Sequence, residues 1–199
     1  VTSLFELPLG NWSTERTLVL SARCRGSLLT GWADNADRRA GSGTADGLRA
    51  WLGALGIELP LEPVKDAWYP AAAQLLLTER VLADYFASDT EALVHALTED
   101  AVRQTSKAAQ LALKLGGFST MLRFAPRVHP EAYDAGRLSA EVGRRSAKLS
   151  YAGSVAFGNP TWAFLQGAAL IVLGNATSRR VTVDVDLGDA SAVLTAAWA

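Results

Sequence analysis

Hydrophobic and polar positions run with a helical period through the first part of the chain and switch to strict alternation in the last third. Leu48, Trp51, Leu52 and Leu55 fall at i, i+3, i+4 and i+7, which predicts a helix stopped by Gly56. From Val64 to Gly116 the pattern predicts two or three helical pieces. Asp66 is a candidate cap and Pro70 sits in the opening turns. Leu75, Leu76, Val81, Leu82, Tyr85 and Phe86 form an apolar stripe. Ser88 with Glu91 reads as a capping box for the next piece, which carries Leu93, Val94, Leu97 and Val102. Leu111, Leu113 and Leu115 continue the pattern, and Gly116-Gly117 ends it. Ahead of this region Thr17–Leu20 is strand-like, and Gly26–Trp32 opens a short helix. Residues 33–46 are polar without periodicity, which predicts a mobile loop.

The alternating part begins with Leu138, Ala140 and Val142, turns at Gly143-Arg144 and returns through Ala147, Leu149 and Tyr151. Asn159-Pro160 then opens an apolar helix that Gly174 closes. Val181, Val183 and Val185 alternate with polar residues, Leu187-Gly188-Asp189 turns the chain, and Ala192–Trp198 comes back. The predicted fold is α+β: one domain over 1–199, with a helical N-terminal half packed on a mainly antiparallel sheet of order β-β-α-β-β.

Composition narrows the function classes. Hydrophobic residues make up 49% and charged residues 20%, enough to fill a core. Nineteen basic residues balance twenty acidic ones, so the chain lacks the basic face of a nucleic-acid binder; Arg144-Arg145 and Arg179-Arg180 are short, solvated clusters. The single cysteine, Cys24, forms no internal disulfide or cysteine-based zinc site and reads as a buried, inert thiol. The first residues, VTSLFELPLGNWSTER, lack a signal-peptide pattern. The apolar stretch Trp162–Leu173 is too short to span a bilayer and contains Gln166. The expectation is a soluble, cytoplasmic protein. The nucleophile-elbow, phosphate-loop, zinc-protease and dinucleotide motifs are missing. Glu99-Asp100 and Asp184/Asp186 read as solvated acids. No catalytic residues, no metal and no cofactor are expected.

Three stretches carry a resemblance: LRAWLGALGIELPLEPVKDAWYPAAAQL at 48–75, MLRFAPRVHPEAYDAG at 121–136, and the strand-helix-strand-strand tail ending in AAWA. Together they resemble a paralogue-rich myxobacterial family of proteins of unknown function. The C-terminal half resembles the fold shared by haem-nitric-oxide sensor domains (H-NOX-like), 4-vinyl-reductase-type domains and subunits of the TRAPP tethering complex. That resemblance implies three roles: haem sensing, binding of small apolar ligands, or protein interaction. The sensors use an axial His on the helix before a Pro-containing loop, and a Tyr-x-Ser-x-Arg motif. Here Tyr151 is followed by Ser154 one place late and by no Arg, and Lys107–Leu115 contains no His. His95, on a helix, and His129, in the predicted loop, read as solvent-facing or hydrogen-bonded structural residues.

Two readings remain. The favoured one is a non-enzymatic binding module, a regulatory or signalling domain with a protein partner that forms a homodimer. It draws on Trp12, Trp32 and Trp198 near ends or loops, on the apolar segment Leu4–Leu9, and on the edge of the last hairpin as a pairing strand. The alternative is a sensor or carrier of a small apolar ligand held between the 159–173 helix and the sheet. Trp162, Phe164, Leu165, Leu170 and Leu173 would line it, with Tyr151 and Ser154 at the rim. The same residues equally suit a filled core.

Overall fold

The computed structural model describes residues 1–104 and 116–199. The expected periodicity at Leu111, Leu113 and Leu115 lies outside the described residues. The architecture is α+β with a mainly antiparallel sheet of five strands. Numbered in chain order, these are β1 (Thr2–Ser3), β4 (Arg137–Val142), β5 (Ser146–Ala152), β6 (Val181–Gly188) and β7 (Ser191–Trp198), arranged β1-β6-β7-β5-β4. A second small sheet pairs β2 (Arg23–Arg25) with β3 (Trp68–Pro70). The helices are α1 (Thr14–Leu18), α2 (Trp32–Ala40), α3 (Thr44–Ala54), α4 (Ala71–Phe86), α5 (Thr90–Gln104), α6 (Phe118–Ala132) and α7 (Pro160–Ala176).

Alternation sets the sheet's inner face. Leu149, Leu194 and Val185 stand side by side across three strands, as do Ala147, Ala196 and Val183. All six are buried, while Thr182, Asp184 and Asp186 point to solvent. Helix α7 lies on this face. Asn159 caps it by accepting the Trp162 N–H at 3.0 Å, and Pro160 takes the first helical position. The N-terminal segment docks on its own chain: Leu4 and Leu7 are buried, and Gly167 of α7 leaves the space that Leu4 fills.

Several expectations are corrected. Residues 33–46 are not a loop but most of α2 and the start of α3. The apolar stripe of α2 is only Trp32, Ala36 and Ala40, and polar contacts hold the helix: Arg38 and Arg39 both reach the buried Asp100 of α5, at 2.6 and 2.9 Å. Thr17 belongs to α1, whose cap is Ser13 accepting from the Arg16 N–H at 3.2 Å, and not to a strand. Pro70 ends β3 and stands just before α4. The cap of α5 is Asp89, which accepts from the Ala92 N–H at 2.9 Å, rather than Ser88. Residues 118–132 form a helix despite Pro126 and Pro130, because Phe118, Leu122 and His129 recur on one buried face. In the last hairpin β7 is internal, and β1 covers the outer edge of β6 only at Asp184 and Val185. Among the described residues the two outer strands of the sheet are β1 and β4.

Gly136 joins Asp134 and Ala135 to β4 with φ +66°, and a Cβ there would overlap the Phe157 ring and come within 2.8 Å of the Ala152 carbonyl. Gly136→Ala combines backbone strain with overpacking. It should lower stability by about 2 kcal/mol. A urea midpoint unchanged from the parent protein would show that this turn relaxes without cost.

Candidate functional site

The side of α7 away from the sheet is also apolar. Leu165, Ala169, Val172 and Ala176 recur at i, i+4, i+7 and i+11, forming one stripe. They face Leu97, Ala101 and Val102 of α5 across a cavity of about 690 Å³. A second cavity of about 410 Å³ shares Leu28, Gln74, Leu97, Ala101 and Leu165 with the first and extends between α2, α4 and α5. Arg39 and Asp100, paired with each other, stand in the wall of that second lobe.

Three polar side chains meet in the wall of the larger cavity. Tyr133 donates its phenolic proton to Gln74 Oε1 at 3.0 Å and accepts from Gln166 Nε2 at 2.9 Å. The chain holds Tyr133 firmly. Its backbone N–H bonds to the His129 carbonyl as α6 ends, and it bridges to Cys24 of β2. The next residue, Asp134, takes the Arg23 backbone N–H and guanidinium at 2.6 and 2.5 Å. Burial raises the Tyr133 pKa well above the ordinary phenol range, so the group is a neutral hydrogen-bonding phenol.

Of the residues expected to contact a ligand, Leu165 lines the cavity, as does Leu173. Tyr151, Trp162 and Leu170 are buried and are not part of its described wall; neither is Phe164. The Trp162 ring packs against Tyr151 at 4.8 Å, Phe157 at 4.5 Å and Tyr133 at 5.9 Å. Space between α7 and the sheet is therefore filled, and the cavity opens on the opposite face of the same helix. Ser154 caps the short turn Val155–Gly158, accepting from the Ala156 N–H at 3.3 Å. Gln74, Tyr133 and Gln166 were not singled out by sequence reasoning as ligand contacts. Gln166 did carry a signal, as an amide in the middle of an apolar helix.

Of the tryptophans expected to form a docking surface, Trp12 and Trp198 are buried and Trp32 is half-buried. Among the described residues no helix is long and apolar enough to cross a membrane, and no three His, Cys, Asp or Glu side chains group to hold a metal ion.

No family model matches the chain, and no curated protein matches it. Solved structures do. An H-NOX protein from K. algicida in the Fe(II) unliganded state is 12% identical, with a TM-score of 0.59 over 88% of this chain and 96% of that one. An H-NOX protein from S. oneidensis in the Fe(II)NO ligation state is 11% identical, with a TM-score of 0.53 over 88% and 99%. An oxygen-binding H-NOX domain related to soluble guanylate cyclases is 12% identical, with a TM-score of 0.53 over 87% and 94%. At these identities the likeness shows an H-NOX-like fold.

The residues present do not fit haem. An axial ligand requires a nitrogen, sulfur or phenolate donor aimed at the iron. The described wall of the larger cavity has no His, Cys, Met or Lys, and its one phenol is held neutral. His129 lies behind Tyr133, with Nε2 3.2 Å from the Ala135 carbonyl, and His95 is exposed on α5. The Cys24 thiol is buried and pushed up to about 12. Arg39, the cation in the neighbouring lobe, is bound by Asp100 and Glu99 rather than free for propionates.

Burial lowers the His129 pKa below the ordinary imidazole value. As pH falls through that ordinary value, the unfolded chain takes up the proton before the native state does. Native stability is therefore lost between the ordinary value and the depressed one. Urea midpoints should fall on mild acidification, and His129→Gln should flatten that part of the profile; equal slopes in the two proteins would rule the imidazole out as its source.

Proposed function

We propose that the chain is a non-catalytic sensor or carrier of a small apolar ligand, held between α7 and the helices α4 and α5. The observation that carries this reading is the cavity of about 690 Å³ along the second apolar face of α7. Its size suits a small molecule, and its wall combines apolar side chains with a few placed polar groups. Support of a different kind comes from the fold: the similar solved structures are described as an oxygen-binding domain and as an Fe(II)NO-ligated protein, so this arrangement of helices and sheet accommodates ligands elsewhere. The ligand proposed here is not haem, because the described wall of the cavity has no His, Cys, Met or Lys.

The test follows from the wall. Ala169 presents a small side chain to the cavity from an accessible position on α7. Ala169→Trp should fill much of the space while leaving the sheet side of the helix untouched. Nile red, a neutral apolar dye, should bind the parent protein and lose at least tenfold in affinity in the variant, a loss of about 1.4 kcal/mol or more. Undiminished binding in a folded Ala169→Trp protein would place the dye elsewhere and remove the support for this site.

A further inference from the structure

The three-residue relay in the cavity wall restricts which ligand the site can accept. A phenol has one proton, so Tyr133 donates to one glutamine and accepts from the other. In this arrangement the two amides turn opposite groups toward Tyr133, an oxygen from Gln74 and an amine from Gln166. Their remaining groups are opposite as well. In the observed arrangement Gln74 has its Nε2 amine left over and Gln166 its Oε1 carbonyl, and neither bonds to a described residue. Both residues line the cavity, and none of the described side chains in its wall carries a charge. Beside the phenol the described wall thus offers an amide donor and an amide acceptor, with Thr98, Asn175 and Ser178 as its other polar side chains and the remainder apolar.

We propose that Gln74, Tyr133 and Gln166 form a neutral recognition head, and that the ligand is an uncharged amphiphile whose polar end carries a donor and an acceptor together, as a primary amide does. This rests on the ligand-cavity reading above. A carboxylate would meet the leftover carbonyl with no cation among the described residues of the wall to balance it. An ammonium would lose its hydration for one or two neutral acceptors. The apolar body of the ligand would run along α7 from Gln166 toward Ala176, a rise of roughly 15 Å.

The experiment uses three probes with one chain length at neutral pH: decanamide, decanoate and decylamine, each competing with Nile red on the full chain. Decanamide should bind at least about tenfold tighter than either charged probe, the worth of one well-made hydrogen bond. The double variant Gln74→Leu, Gln166→Leu should lose the preference for the amide, read as the ratio of decanamide to decanoate affinity. Gln166→Glu should shift the preference toward decylammonium, and it serves as a second test should the double variant fail to fold. Decanoate binding as tightly as decanamide, or an amide preference that survives in the double variant, would overturn the recognition head alone. Failure of Nile red and all three probes to bind would overturn the cavity reading and this inference with it.

Discussion

Helix α7 has almost no polar face to give to water. Its sequence, PTWAFLQGAALIVLGNA, is apolar around most of its circumference, so it is stable only where both sides are covered. The sheet and the N-terminal segment cover one side, where Leu4 fills the space at Gly167 and Val181 of β6 packs at Gly174. The helical half stands over the other side. Coverage is not the same as filling. The second side of α7 presents Ala168, Ala169 and Ala176, and the facing wall adds Ala101 and Ala132. Small side chains opposite small side chains leave space where large ones would interlock, and a close-packed protein interior does not leave such space by default.

Tyr133 links the two sides of the molecule. Its ring belongs to the aromatic group behind α7, close to Trp162 and His129, while its hydroxyl lies in the cavity wall between two glutamines. Its backbone is fixed by the end of α6 and by β2. A group held at so many points is a rigid reference for a ligand, and rigid placement is what lets a few hydrogen bonds discriminate between polar heads.

The sheet and its central helix were legible in the sequence, because alternation in Val181–Val185 and the Asn159-Pro160 start are local signals with one physical reading. Residues 33–40 were not. Arg38 and Arg39 are held by Asp100, a contact across some sixty positions that no local period reveals. Pro126 and Pro130 hid α6, although Phe118, Leu122 and His129 already had helical spacing. The cavity lies along the face of α7 that carries Leu165, Ala169 and Val172, not between that helix and the sheet. Sequence identifies α7 as buried all round, but whether a void remains depends on the volumes facing each other, and those residues come from α4, α5 and the end of α6. Leu165 lines the cavity because it lies on the stripe that faces them. Gln166 was read only as an argument against a membrane span.

The most direct test of the central claim is a crystal structure determined under xenon pressure, since xenon enters apolar cavities that water leaves empty. Xenon density beside Leu165, Ala169 and Val172 is the expected result. A refined structure in which side chains close that space, with no xenon along this face of α7, would contradict the claim that the helix borders a ligand site.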